Sequence, residues 1–201
     1  MDEWATDVAQ VAEWDERLDE LLVQVGDVFG RADLRRRARA CVRGLLGPVS
    51  RKNGWQLAEY AGWTHPWLQQ HLLDRARWNE NELRDRVRGY VLDNLDDGAG
   101  AVLVLDESGI PKKGHASAGV APQYCGALGG VFACQVAVVA AWATRRGVAL
   151  IDRELYLPRT WTDDRERCRR AHVPDEVAFA TKPALAARII ARILPHCPAG
   201  T

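Results

Sequence analysis

Asp106 closes a short apolar run, Ala101-Val102-Leu103-Val104-Leu105, and is followed by Glu107, Ser108 and Gly109. A continuous apolar run of this length reads as a buried strand. The carboxylate is therefore expected where the strand reaches the sheet edge, before a loop imposed by Gly109, Pro111 and Gly114. A carboxylate so placed can bind a hard cation such as Mg²⁺, which prefers oxygen ligands and keeps several waters. Lys112 and Lys113 in the same loop are placed to hold a phosphate backbone beside it. Together these groups suit phosphodiester chemistry with two metal ions, one activating the attacking oxygen and one stabilising the leaving oxygen. An Asp after a strand is equally a turn-initiating residue, and the pattern alone does not separate the two readings. Glu107 is assigned to solvent or to the loop, because neighbouring strand side chains alternate faces.

Other groups compete for a chemical role. Asp152 and Glu154 share one face of an expected strand, so they form either a paired-carboxylate site or cross-strand ion pairs with Arg145, Arg146 or Arg153. Asp163, Asp164 and Glu166 read as acids of a first helical turn, favoured by the helix dipole. His65, His71, His115, His172 and His196 show no metal-ligand spacing. The five cysteines are scattered, with no C-x-x-C pair, and read as buried free thiols in a reducing compartment. Neither a phosphate-binding glycine loop nor a G-x-S-x-G elbow occurs.

The elements that must position Asp106 fall into two kinds. Helical spacing covers residues 4–29, through Trp4, Val8, Val11, Leu18, Leu21, Leu22 and Val25. A second helix starts at Ala32, with Leu34, Ala38, Cys41, Val42, Leu45 and Leu46 as its buried stripe, and Gly47-Pro48 stops it. Further helices are expected over residues 55–60, after a Thr64 N-cap with Pro66 early in the helix, and over 79–95. The Asp96–Gly100 turn then separates this helical part from three strands: the run before Asp106, a long one over 131–142, and 148–157, the last two joined as a hairpin. A Thr162-capped helix over 163–171 and an amphipathic helix over 182–194 follow. On the third strand Leu150, Asp152, Glu154 and Tyr156 are expected on one side, with Ala149, Ile151, Arg153 and Leu155 on the other.

The chain has 201 residues and zero formal net charge, but the charge is segregated. Residues 1–30 carry −8 and residues 31–90 carry +7. Such asymmetry points to a nucleic-acid partner for the middle segment, or to an acidic arm folded back on the basic face of the same molecule. Arg35, Arg36 and Arg37, with Arg31, Arg39, Arg43, Arg51 and Lys52 nearby, read either as a solvated helix face or as phosphate contacts of a helical DNA-binding unit. No apolar run reaches the ~18 residues of a membrane span, and the acidic start Met1-Asp2-Glu3-Trp4 lacks the order of a secretion signal. The expected location is the cytoplasm.

Several strings now stand in order: Arg51-Lys52-Asn53-Gly54-Trp55-Gln56-Leu57-Ala58-Glu59, Arg75-Ala76-Arg77-Trp78, Val104-Leu105-Asp106-Glu107-Ser108-Gly109 and Lys112-Lys113-Gly114. They continue through Ser117-Ala118-Gly119-Val120, Gln123-Tyr124, Cys134-Gln135-Val136, residues 150–158, Trp161-Thr162-Asp163-Asp164 and Phe179-Ala180-Thr181-Lys182-Pro183. From about residue 31 to the C-terminus the chain resembles the bacterial insertion-sequence transposases, also described as DDE superfamily endonucleases.

The resemblance implies an α+β fold: a helical N-terminal domain followed by a ribonuclease-H-like mixed β-sheet with helices. It implies Mg²⁺- or Mn²⁺-dependent cutting of transposon ends and their joining to target DNA. It maps the family's first metal-binding, catalytic aspartate onto Asp106. Ala133 departs from the usual polar residue before Cys134. The family's second catalytic aspartate follows a strand beyond the Lys182-Pro183-Ala184-Leu185 helix, and its glutamate lies further on, whereas this sequence ends at Pro198-Ala199-Gly200-Thr201. The expectation is therefore a truncated, catalytically incomplete product with doubtful metal binding and an incomplete sheet.

The expected domains are an acidic helix at 1–30, a basic DNA-contacting domain at 31–97, and the first part of the catalytic domain at 98–201. DNA contacts are assigned to Arg35, Arg36, Arg39, Arg51, Lys52, Lys112 and Lys113. Three functions are open: an inactive fragment, a DNA-binding regulator, or a split transposase completed in trans. The expected partners are DNA, and a second copy or a full-length transposase, with no membrane.

Overall fold

The computed structural model describes residues 8–96, 98 and 100–197. Residues 4–7 of the expected first helix and the terminal 198–201 lie outside the described residues. The chain divides into two compact units, Met1–Val87 and Arg88–Thr201. The division falls within a helix, ahead of the Asp96–Gly100 turn where the sequence places a boundary. The buried ion pair from Arg88 to Asp152, 3.0 Å, ties the second half of that helix to the sheet.

The first unit is helical: α1 (Val8–Gln24), α2 (Ala32–Leu46), α3 (Gly54–Tyr60), α4 (Trp67–Asp74) and the first half of α5 (Glu80–Leu95). In α2 the buried positions are Leu34, Arg37, Ala38, Cys41 and Gly44, a single stripe at helical spacing. Leu45 and Leu46, expected on that stripe, are exposed, because the helix ends there and Gly47-Pro48 turns the chain away. Gly44 permits the close approach of α3: a Cβ there would lie 2.8 Å from Leu57 Cδ2. Asn53 caps α3, its Oδ1 accepting from the N–H groups of Trp55 and Gln56 at 3.0 Å each. For α4 the N-cap is Pro66, two residues later than the expected Thr64. Val28, Phe29, Leu34, Ala38, Cys41 and Leu72 form the core, with Ala76, Trp78 and Leu83 packed against it. The Trp78 indole N–H donates to Leu72 O at 3.0 Å, which satisfies its polar end inside that core.

The second unit places β1 (Val102–Pro111), β2 (Ala121–Cys125), β3 (Gly130–Thr144) and β4 (Gly147–Tyr156) in one sheet, followed by α6 (Arg159–Thr162), α7 (Arg165–Arg170) and α8 (Lys182–Ile193). β3 pairs with all three other strands, and every pairing is antiparallel. The fold is α+β, as expected. The mixed sheet implied by the resemblance has no parallel pair among the described residues. The expected β3–β4 hairpin is present.

Three sequence expectations are corrected here. β1 does not end at Asp106 but continues to Pro111, pairing as far as Cys134. Gly109 serves packing rather than a turn, since a Cβ there would lie 3.0 Å from Cys125 Sγ. Pro111 is tolerated because it ends a strand. Second, β2 was not foreseen, and Pro122 lies within it. Third, the helix expected over 163–171 is α7, and a short helix not expected, α6, precedes it. Asp164, not Thr162, caps α7, accepting from Arg167 N–H at 2.9 Å.

Alternate residues of β3, namely Cys134, Val136, Val138, Ala140 and Trp142, are buried. On α8, Leu185, Ile189 and Ile193 are buried at spacings of four, and this helix packs on β3 and β4. A bulge between Ala140 and Ala141 leaves Ile151 unpaired on β4. It removes Leu150, 64% exposed, from the face that carries Asp152, Glu154 and Tyr156. Among the described residues no helix is long and apolar enough to cross a membrane.

Candidate functional site

Asp106 stands mid-strand on β1, opposite Val139. Directly paired residues share a face, so Asp106 lies on the face of Val139 and of Arg153, the partner of Val139 on β4. The side chain is exposed, and its Oδ1 accepts from the backbone N–H of Glu107 at 2.7 Å. β1 is an edge strand of the sheet.

Glu107 pairs with Val138 and occupies the opposite face, the one covered by α8. It is neither loop nor simply solvated: its carboxylate forms an ion pair with Lys182 at the start of α8. Thr181 caps that helix through Ala184 N–H at 3.3 Å, and Pro183 sits in its first turn, where a missing N–H is harmless. Lys182 Nζ also lies 5.5 Å from the Tyr156 ring centre. Tyr156 meets Phe179 edge-on at 6.3 Å, and the Arg159 guanidinium lies 4.2 Å over the Phe179 ring. Leu105, Asp106, Glu107, Val138, Lys182, Pro183 and Ala186 line one shallow depression. Lys182 is thus the cation that the fold brings to Asp106's strand. The Thr-Lys-Pro cap was the sequence signal for its place.

Lys112 and Lys113 were expected beside Asp106. At ~3.3 Å per residue, the continuous strand puts Lys112 about 20 Å from Asp106. Its own N–H donates to Ala133 O at 2.9 Å, beyond the end of β1.

Asp152 does not form a paired-carboxylate site with Glu154. Its side chain is fully buried, and Arg88 Nη1 reaches Oδ2 at 3.0 Å. Arg192 donates to both oxygens at 2.9 Å and to Glu154 Oε1 at 2.7 Å. These partners come from α5 and α8, not from the hairpin arginines expected, because the bulge turns Asp152 inward. The hydrogen bonds that Arg192 donates to Asp152, opposed by burial and aided by Glu154, hold its pKa above the ordinary range. Both oxygens of Asp152 are committed to guanidinium groups. Arg146 instead donates to the carbonyls of Asn94 and Asp96 at the end of α5.

In the first unit the nominated cations separate into two groups. Arg35 donates to Phe29 O at 3.1 Å, and Lys52 donates to Gly44 and Gly47 carbonyls, capping α2. Arg39 pairs with Asp19 of α1, and Arg43 pairs with Asp15 at 2.7 Å and Asp19 at 2.6 Å. Arg37 is buried against Asp33 and the Trp67 ring. Arg36 and Arg51 are exposed, with no ion partner among the described residues. Trp55 and Trp67 are also more than half exposed.

Among the described residues no group of three or more His, Cys, Asp or Glu could hold a metal ion. Asp106 would fit such an ion as a single ligand: it is exposed, and one oxygen is engaged by the Glu107 N–H. Mg²⁺ is commonly held by one or two carboxylates, with water and phosphate oxygens completing its shell.

An α+β chain with a carboxylate on an edge of its sheet and a basic helical unit has the parts of a nucleic-acid-processing protein. A family model described as DDE superfamily endonuclease matches residues 24–197, so the chain belongs to that family. The family acts on DNA and generally uses divalent metal ions. Neither the curated proteins nor the solved structures contain a match.

Proposed function

We propose that the chain is a DNA-binding transposase-type protein in which Asp106 supplies one metal-binding carboxylate. The observation that carries this reading is Asp106 itself: an exposed carboxylate on an edge strand, within the residues matched to the family. A divalent ion bound there would activate an attacking oxygen or stabilise a leaving one. The residues of the chain do the rest. Glu107 N–H orients the Asp106 carboxylate, and Glu107 holds Lys182 at the rim of the depression. Arg36 and Arg51 are the exposed cations for phosphate contacts in the first unit, with Arg35, Arg39 and Lys52 beside them on the same basic segment.

The described residues offer one acid of the three that the family uses, which favours DNA binding without cutting by this chain alone. The remaining acids would then come from outside the described residues, including from a second chain. The test is end-labelled duplex DNA in Mg²⁺ or Mn²⁺ with the wild type and Asp106→Asn. The expected result is salt-sensitive binding by both and cutting by neither. Absence of binding at low salt would sink the reading. Cutting by the wild type that disappears in Asp106→Asn would show that acids in this chain complete the site.

A further inference from the structure

The basic helix α2 is not open to DNA along its whole length. Two of its arginines already face carboxylates of α1: Arg39 meets Asp19, and Arg43 meets Asp15 and Asp19. Carboxylates of the acidic segment thus meet arginines of the basic segment inside the first unit. α1 meets α2 through these long side chains rather than through close backbone packing. Apolar side chains of α1 stay exposed beside these aspartates, Val11, Trp14 and Val23 at between 50% and 69%. A further tether lies at its C-terminal end, where Arg86 donates to Gln24 O at 2.7 Å and Leu18, Leu21 and Leu22 are partly buried.

We infer that α1 is an autoinhibitory arm whose Asp15 and Asp19 occupy the α2 arginines in place of DNA phosphates and are displaced when DNA binds. The inference rests on the DNA-binding reading above and adds its regulation. The physics favours exchange. The pairs are partly solvated, with Asp15 58% and Arg39 44% exposed, so solvent and salt screen them. A DNA backbone offers a denser array of anions than two aspartates and releases counterions on contact. The first residues of α1 can swing away while Gln24 stays held.

The experiment compares DNA binding over a range of salt by the wild type, by Asp15→Asn with Asp19→Asn, and by Glu16→Gln with Glu20→Gln. The last pair removes the same charge from exposed positions of α1 that have no ion pair among the described residues. Freeing two arginines should tighten binding about tenfold at low salt and steepen the slope of log K against log salt by roughly 2. The glutamine control should change the slope little. Adding Arg39→Gln and Arg43→Gln to the asparagine variant should remove the gain. Hydrogen exchange of α1 amides in the wild type should speed up when DNA is added, a readout independent of affinity. Equal gains from both acidic variants, or binding unchanged by Asp15→Asn with Asp19→Asn while the wild type binds DNA, would overturn the inference. Failure of every variant to bind DNA would instead overturn the DNA-binding reading, and this one with it.

Discussion

At the scale of single residues, three aspartates show how environment sets role. Asp106 is exposed with one oxygen bonded to a neighbouring N–H, so it is available to a ligand. Asp152 is buried between Arg88 and Arg192, so it is spent on structure. Asp15 is on the surface beside Arg43, so it is exchangeable. Removing one member of a buried ion pair strands the other charge in a poor solvent, which costs about 3–5 kcal/mol. Asp152→Ala should therefore lower stability by about that amount in a denaturant titration, whereas Asp106→Asn should stay within ~0.5 kcal/mol of wild type, as surface substitutions do. A comparable loss in both would mean that Asp106 is part of the packing and not a free ligand. The sequence singled out Asp106 from its place after an apolar run. It could not assign the partners of Asp152, because those lie on α5 and α8 and nothing local encodes them.

At the scale of elements, helix ends were read well where a side chain caps its own turn. Asn53, Asn79 and Thr181 each accept backbone N–H bonds at a helix start. Asn53→Ala should cost about 1 kcal/mol through the lost cap on α3, seen as a lower melting temperature, and Asn53→Ser should recover most of it. If alanine is as stable as the wild type, the cap contributes nothing there. Strand ends were read less well. Gly109 and Pro111 resemble loop residues, yet both lie within β1, one by packing against Cys125 and one by ending a strand. The bulge at Ile151 has no sequence signature either, and it alone decides which side chains of β4 face α8.

At the scale of the molecule, charge segregation is the feature with the widest consequence. The Arg43 guanidinium bonded to Asp15 holds that carboxyl below its ordinary value of 3.8, against the opposing effect of partial burial and with help from the Arg43 and Arg39 charges of α2. A carboxyl lowered in the folded state adds stability above its unfolded value and loses it as pH falls through the lower folded one. Docking of α1 should therefore be constant from neutral pH down to the range of ordinary carboxylates, and should fail only below it. Trp14 fluorescence or amide exchange of α1 would follow this. Release of α1 near neutral pH would show that Asp15 does not hold it.

The amino-acid order alone determined the helical half, the hairpin, the family and the choice of Asp106 as a candidate, because periodicity and motif strings are local. It also held both readings of the opposed charges without choosing between them. Tertiary structure made the choices that depend on which surfaces meet. It paired the acidic arm with α2, moved Lys112 about 20 Å from Asp106 by extending β1, brought Lys182 to the depression beside it, and buried Asp152 between two arginines. Charge partners and strand ends are settled by contacts between segments far apart in the chain, and no local pattern carries them.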